Sequence, residues 1–182
     1  ELIKYLKSLE ATKSIFLVTN GQEPDMIQKL EDEDALPTQL YLSTNAADYQ
    51  SFLKINRPRY DDSWERWNRT LKMLSTLGTR TVLRITLIRG YNDDEEMIPA
   101  FASLLQKSNV HFVEIKSYMH IGRSTNRLEH SDMLEMDEVR SFADKLVQEN
   151  NAFTVMDESE ISRIVILQNK KRFIDRFIPA YC

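Results

Sequence analysis

The chain has 182 residues, 42% of them hydrophobic and 29% charged, with a formal net charge of −4. That is enough apolar chain for one sizeable core, with no apolar run long enough to cross a bilayer and no signal-peptide pattern. A single cysteine, Cys182, excludes an intrachain disulfide and a multi-cysteine metal site made within these residues.

The charge is uneven. From Lys54 to Arg89 nine Lys/Arg stand against three acids, a local excess of +6 that leaves −10 elsewhere. A basic segment on an acidic chain suits a phosphate-bearing partner. Residues 1–10 read as the end of a helix through Leu2, Ile3, Leu6 and Leu9. Because the helical pattern is already running at Glu1, the chain is expected to be cut from something longer.

Ser14–Asn20 (SIFLVTN) reads as a short buried strand ended by Gly21. Pro24 suits a first helical position, ahead of Met26, Ile27 and Leu30. Gln39–Ser43 is the second strand, and Pro58 breaks the irregular stretch that follows. Asp62 and Glu65 have the spacing of a capping box for a helix carrying Trp64, Trp67, Leu71, Leu74 and Leu77 inward. Thr81–Ile88 is the third strand. Asp93 and Glu96 repeat the capping pattern for a helix with Met97, Ile98, Phe101, Leu104 and Leu105 inward. A fourth strand begins at Val110. Strand and helix therefore alternate, which predicts right-handed βαβ units and a parallel sheet. After Gly122 the pattern changes: Arg123–Glu135 is loop-like, Asp137–Glu149 is an amphipathic helix, and Phe153–Asp157 with Ile161–Leu167 suggest a hairpin about Glu158–Ile161.

The fourth strand carries the most chemistry. Glu114, Lys116, Tyr118 and His120 fall at every second position of VEIKSYMH and so share one face of an extended chain. Ligands in α/β sheets sit at the carboxyl ends of parallel strands. The other strands end in polar groups too: Thr19 and Asn20, Ser43 and Asn45, Arg84 and Thr86. Together they predict a rim of hydrogen-bonding groups at one end of the sheet. No G-x-G-x-x-G, Walker, H-E-x-x-H or G-x-S-x-G motif is present.

The blocks FLVTNGQ, PTQLYLS, KINRP, the Trp64–Trp67 helix, RTVLRITLIRGYN, VEIKSYMHIG and DESEISRIVIL resemble the archaeal-type tRNA 4-demethylwyosine synthases, which are radical S-adenosylmethionine enzymes. The resemblance implies an α/β fold: a partial (β/α) radical-SAM-type barrel over residues 1–122, and a wyosine-family extension of helix and β-hairpin over 123–182. It implies conversion of N1-methylguanosine in phenylalanine tRNA to 4-demethylwyosine, with two carbons taken from pyruvate. A [4Fe–4S] cluster would cleave S-adenosylmethionine to a 5′-deoxyadenosyl radical. The family's cluster cysteines, its Gly-Glu-Pro segment and its pyruvate lysine belong to a first half with no counterpart in these residues, so this chain by itself is expected to be inactive and to hold no metal.

Residue by residue, the resemblance places Thr19 and Asn20 in the turn against S-adenosylmethionine, and Ser43 and Asn45 at its ribose or carboxylate. The family more often has Asp at the last of these. It puts Arg84 and Thr86 in the next cofactor segment, with Arg84 pairing the cofactor carboxylate, and His120 near the adenine. Glu114, Lys116 and Tyr118 would face the barrel interior near guanine or pyruvate as the catalytic set, and Arg57, Arg59 and Arg123 would meet tRNA phosphates. A cytoplasmic enzyme, monomeric when full length and without a membrane partner, is expected. The alternatives are another radical S-adenosylmethionine enzyme and a non-catalytic α/β module that binds RNA through its basic segment.

Overall fold

The computed structural model describes residues 1–178; Cys182 lies outside them. In chain order the elements are α1 (Leu2–Ser8), β1 (Phe16–Thr19), α2 (Pro24–Asp32), β2 (Gln39–Ser43), α3 (Tyr49–Asn56), α4 (Ser63–Met73), β3 (Arg80–Leu87), α5 (Ile98–Ser108), β4 (Phe112–Ser117), α6 (Met136–Glu149), β5 (Phe153–Ser159) and β6 (Ile164–Asn169). One sheet runs in the order β1-β2-β3-β4-β6-β5. Its first four strands are parallel, as the alternation predicts. The hairpin after α6 then joins the same sheet, β6 antiparallel to β4 and β5 antiparallel to β6.

The register sorts the side chains into two faces. Leu42, Leu83, Val113 and Leu167 form one row, and Ile85, Ile115 and Val165 the next. All are buried, and with Trp67, Leu71, Phe101, Leu105, Phe142 and Leu146 of the helices they make one core. The opposite face carries Tyr41, Arg84, Thr86 and Lys116, all half-buried. Two expectations change here. β1 is not a buried strand: Phe16 is 54% and Val18 49% exposed, because β1 is the sheet edge and no layer covers that face. The hairpin turn falls at Glu160–Arg163 rather than Glu158–Ile161, since β5 continues to Ser159 and Arg163 takes a left-handed φ of 49°.

The helix starts also differ from the sequence pattern. Asp62 is the N-cap of α4 but makes no capping bond; it pairs with Arg66 one turn on, at 2.8 Å. The Oδ1 of Asp93 accepts from the Gly90 N–H at 2.7 Å, closing the turn after β3, and α5 begins only at Ile98 after a 3-10 turn. The caps that form elsewhere are Asp48 on α3, which accepts from Ser51 N–H, and a Glu135/Glu138 capping box on α6.

Helix α4 fixes the ends of β1 and β2. The Trp67 indole Nε1 donates to the Ser43 carbonyl at 3.1 Å, and Thr70 Oγ1 donates to the Gly21 carbonyl at 2.8 Å. Gly21 sits at φ +76°, where a Cβ would lie 2.7 Å from Leu42 Cδ1 and 3.0 Å from Trp67 Cδ1. Gly21→Ala therefore combines a left-handed alanine with overlap against a full core. It should lower unfolding free energy by about 2 kcal/mol or more in urea titration; an unchanged midpoint would mean that the turn relaxes freely.

At the other end of the sheet His111 is buried, and its Nδ1 accepts from the Thr81 N–H at 3.1 Å. Burial, and then the Arg172 and Arg80 cations, push the imidazole down from 6.5 to about 4. A histidine depressed in this way stabilises the fold fully above its unfolded pKa and loses that contribution as pH falls toward 4. Between pH 7 and pH 4 the fold should lose about 3 kcal/mol through this group. The loss is measured as the part of the acid destabilisation that His111→Asn abolishes.

Candidate functional site

The carboxyl ends of the four parallel strands form one rim, where the sequence-predicted residues gather. Thr19 and Asn20 shape the turn after β1: Thr19 Oγ1 accepts from Gly21 N–H and Asn20 Oδ1 from Gln22 N–H. At the end of β2 the Ser43 carbonyl goes to Trp67, while its hydroxyl makes no hydrogen bond among the described residues. Asn45 Nδ2 donates to Asn56 Oδ1 at 3.3 Å, and Asn45 Oδ1 is buried without a donor. On the open face the register brings Ser43, Arg84 and Glu114 into one row, with Thr86 and Lys116 in the row above.

Glu114, 7% exposed, takes up the charge of Arg84: Nε of Arg84 lies 2.7 Å from Oε1 and an Nη donates to Oε2 at 3.2 Å. The guanidinium stacks 4.4 Å from the Tyr41 ring centroid. Its Nε–H is not aligned with any acceptor, so the fork is only partly satisfied. The row below Lys116 is thus a neutral ion pair, while Lys116 itself makes no ion pair or hydrogen bond among the described residues. A single unpaired ammonium above a compensated pair is suited to hold a carboxylate.

A residue that the sequence did not single out holds the rim together. Asn92 is fully buried. Its Nδ2 donates to the Asn45 carbonyl at 2.8 Å and the Thr86 carbonyl at 2.9 Å, and its Oδ1 accepts from Ile88 N–H at 2.7 Å. The only sequence signal was an asparagine shortly after a strand-ending glycine, which reads as a turn. Arg57 and Arg59 are exposed on the α3–α4 loop, and Arg123 is exposed in a 3-10 turn, Gly122–Asn126, rather than in plain loop. Arg127 ties the two segments together by donating to the Ile55 carbonyl.

The shared strand face stops at Lys116, because β4 ends at Ser117. Tyr118 is instead buried with the core and His120 follows it on the loop, and their hydrogen bonds have a forced direction. Ser124 Oγ donates to the Ile121 carbonyl at 2.6 Å, since a carbonyl only accepts. Ser124 Oγ therefore accepts the Tyr118 hydroxyl proton at 3.1 Å. The Tyr118 oxygen, 3.3 Å from His120 Nδ1, is left as acceptor. Neutral His120 then carries its proton on Nδ1 and leaves Nε2 as a free acceptor. Ser124 was not picked out from the sequence, where a serine six residues beyond the tyrosine looks like loop.

Two family models divide the chain: radical SAM superfamily matches residues 1–102, and wyosine base formation matches residues 107–169. The chain belongs to the radical SAM superfamily. It is 44% identical over 160 residues to a S-adenosyl-L-methionine-dependent tRNA 4-demethylwyosine synthase of Methanocaldococcus jannaschii, covering 88% of this chain and 48% of that protein. A human tRNA 4-demethylwyosine synthase, TYW1, is 35% identical over 173 residues, 94% of this chain and 23% of that protein. A solved structure of TYW1 with a lysine–pyruvate adduct bound superposes with a TM-score of 0.80 at 40% identity, over 95% of this chain and 52% of that one. The chain thus spans about half the length of the archaeal relative.

The superfamily implies S-adenosylmethionine and an iron–sulfur cluster. The rim fits the first: among the described residues the Ser43 hydroxyl, the buried Asn45 Oδ1 and the His120 Nε2 have no partner, and ribose hydroxyls and amines satisfy such groups. It does not fit the second. Among the described residues no group of three or more His, Cys, Asp or Glu is placed to hold a metal ion.

The tautomer of His120 gives a direct test. Long-range ¹H–¹⁵N spectra of the imidazole should show Nδ1 protonated and Nε2 bare in the native chain. Ser124→Ala frees the tyrosine proton, so the Nδ1–H preference should weaken. A native Nε2–H tautomer would contradict the hydrogen-bond directions.

Proposed function

We propose that this chain is the carboxyl-terminal part of a tRNA 4-demethylwyosine synthase, a cytoplasmic lyase that is monomeric when full length. It would convert N1-methylguanosine in phenylalanine tRNA to 4-demethylwyosine with pyruvate and S-adenosylmethionine. The observation that carries this is 44% identity over 88% of the chain with an archaeal tRNA 4-demethylwyosine synthase, supported by the wyosine base formation match over residues 107–169. That match favours this branch over another radical SAM enzyme, and the strand-end site favours an enzyme over an RNA-binding module.

In this reading Thr19, Asn20, Ser43, Asn45, Thr86 and His120 hold S-adenosylmethionine, which supplies the radical chemistry when bound. The side chains of Thr19 and Asn20 are engaged in their own turn, so their part is to present backbone groups at a fixed place. Arg84 is already paired with Glu114, so a cofactor carboxylate would share a guanidinium rather than find it free. Lys116 binds the carboxylate of pyruvate as a fixed cation. Glu114 acts through Arg84, keeping the floor below Lys116 neutral. Tyr118 holds the His120 proton on Nδ1 and leaves Nε2 facing the ligand as acceptor.

The tRNA is met by those cations that nothing else uses. Of the nine Lys/Arg between Lys54 and Arg89, Arg66, Arg69, Arg84 and Arg89 are paired with Asp62, Asp25, Glu114 and Glu138. Arg80 is engaged by Gln39 and two carbonyls. Lys54 lies over the Tyr91 ring and Lys72 is in the last turn of α4. Arg57 and Arg59 at the rim, together with Arg123, are the cations left there for phosphates.

The test is turnover of N1-methylguanosine-containing phenylalanine tRNA by the full-length protein, wild type against Lys116→Ala. The variant should lose at least about tenfold in kcat/KM, most of it as a raised KM for pyruvate, with Lys116→Arg partly restoring it. Unchanged kinetics would remove Lys116 from the site, and no product from the wild type would remove the function.

A further inference from the structure

The rim holds a second cleft beside the groups assigned to the cofactor, with Asn20 in its lining. It lies between the β1–α2 turn and the α3–α4 loop, has a volume of about 380 Å³, and is lined by Gln22, Phe52, Asn56, Arg57, Arg59 and Tyr60 among others. Three features of the lining point to a ligand. The first is Gln22. Its Nε2 donates to the Ser63 carbonyl at 3.1 Å, which fixes the amide's orientation. Its Oε1 is then buried with no donor among the described residues, an open acceptor that an N–H or O–H of a ligand, or a water, would satisfy.

The second is Asn56. Its Oδ1 is occupied by Asn45 Nδ2 at 3.3 Å, so its own Nδ2 remains as a donor. The cleft therefore offers a lone acceptor and a lone donor on two amides, the combination that reads a nucleobase edge. Phe52, packed against Trp64 and Trp67, closes the base of the cleft with an apolar edge, and the carboxylate of Glu23 adds one acceptor. The third is charge. Arg57 ends α3 in the left-handed region at φ 47°, followed by Pro58, and both Arg57 and Arg59 are exposed with no acidic partner among the described residues.

An apolar edge, amides with one open acceptor and one open donor, and two uncommitted guanidinium groups at the mouth match one chemical class. We infer that this cleft takes one unstacked nucleotide of the RNA substrate, its base against Phe52 and the Gln22 and Asn56 amides and its phosphate against Arg57 and Arg59. The inference rests on the RNA-modifying reading above and adds to it: the cleft adjoins the cofactor groups through Asn20 and the Asn45–Asn56 hydrogen bond and would hold a neighbouring nucleotide, not the modified one.

The experiment is fluorescence anisotropy of the full-length protein with an anticodon stem-loop of phenylalanine tRNA, native or with a single abasic position moved along the loop. One abasic position, other than the modified guanosine, should weaken binding to the wild-type protein about tenfold. Gln22→Ala should weaken the native RNA by a similar factor, and for that abasic RNA alone should add no further loss. Arg57→Ala with Arg59→Ala should lower the slope of log affinity against log salt by about 2. If every abasic RNA binds the wild-type protein as tightly as the native loop, the cleft holds no base and the inference falls while the RNA reading stands. If the wild type fails to bind the native loop even at low salt, the RNA reading falls with it.

Discussion

The structure depends on how the parallel strands end. A parallel strand that stops leaves carbonyls and amides that its neighbours cannot reach, and these must be satisfied before any ligand can use the rim. Here side chains do it from the core side. Trp67 and Thr70 of α4 take the carbonyls of Ser43 and Gly21, and Asn92 spans those of Asn45 and Thr86. Three fully buried side chains thus hold the ends of β1, β2 and β3 in fixed relation. Because those bonds come from beneath, the side chains pointing the other way (Ser43, Thr86, Lys116) stay uncommitted. The rim is rigid for structural reasons and available for chemical ones.

The open face then sorts its charges by height. Low on the face, Arg80 is closed in by Gln39, two tail carbonyls and the Phe112 ring. In the middle row Arg84 and Glu114 cancel. Above them Lys116 stands without a partner among the described residues. A buried ion pair is a weak source of stability because desolvation offsets much of its Coulomb gain. Its consequence here is electrostatic: the floor contributes little net charge, so on the open face Lys116 is the charge without a partner among the described residues.

How much of this could be read in the sequence follows from the range of each interaction. The βα alternation was legible because helix and strand periods are local, and so was the shared face of Glu114 and Lys116, which needs only the two-residue repeat. The partner of β6 was not: period-two alternation marks a strand but does not say that it pairs with β4. Arg84 meets Glu114 across a register that no local pattern encodes, thirty residues apart. Capping boxes misled for a different reason. Asp62 has the right spacing to Glu65, but Arg66 one turn away competes for the same carboxylate and takes it. Asn92, Gln22 and Ser124 were missed because each is a polar residue in turn-like surroundings, and only burial or a hydrogen-bond partner separates such residues from ordinary loop.

The two ends of the sheet spend their cations differently. At the amino-terminal end Arg172 donates to the Leu74, Leu77 and Asn109 carbonyls, and Arg80 to those of Asp175 and Arg176. Both guanidinium groups are consumed by backbone, and between them burial keeps His111 neutral. The carboxyl-terminal tail is thereby strapped over that end, so its positive groups serve the fold. At the carboxyl-terminal end an indole, a hydroxyl and an amide take the carbonyls at the ends of β1, β2 and β3. Arg84 and Arg89 are paired there, while Lys116, Arg57, Arg59 and Arg123 have no acidic partner among the described residues. An anionic substrate is therefore attracted to the end where positive charge is unspent. That end is also where the strand-end acceptors of Asn45 and Gln22 lack donors, so charge and hydrogen-bond demand coincide at one rim of the sheet.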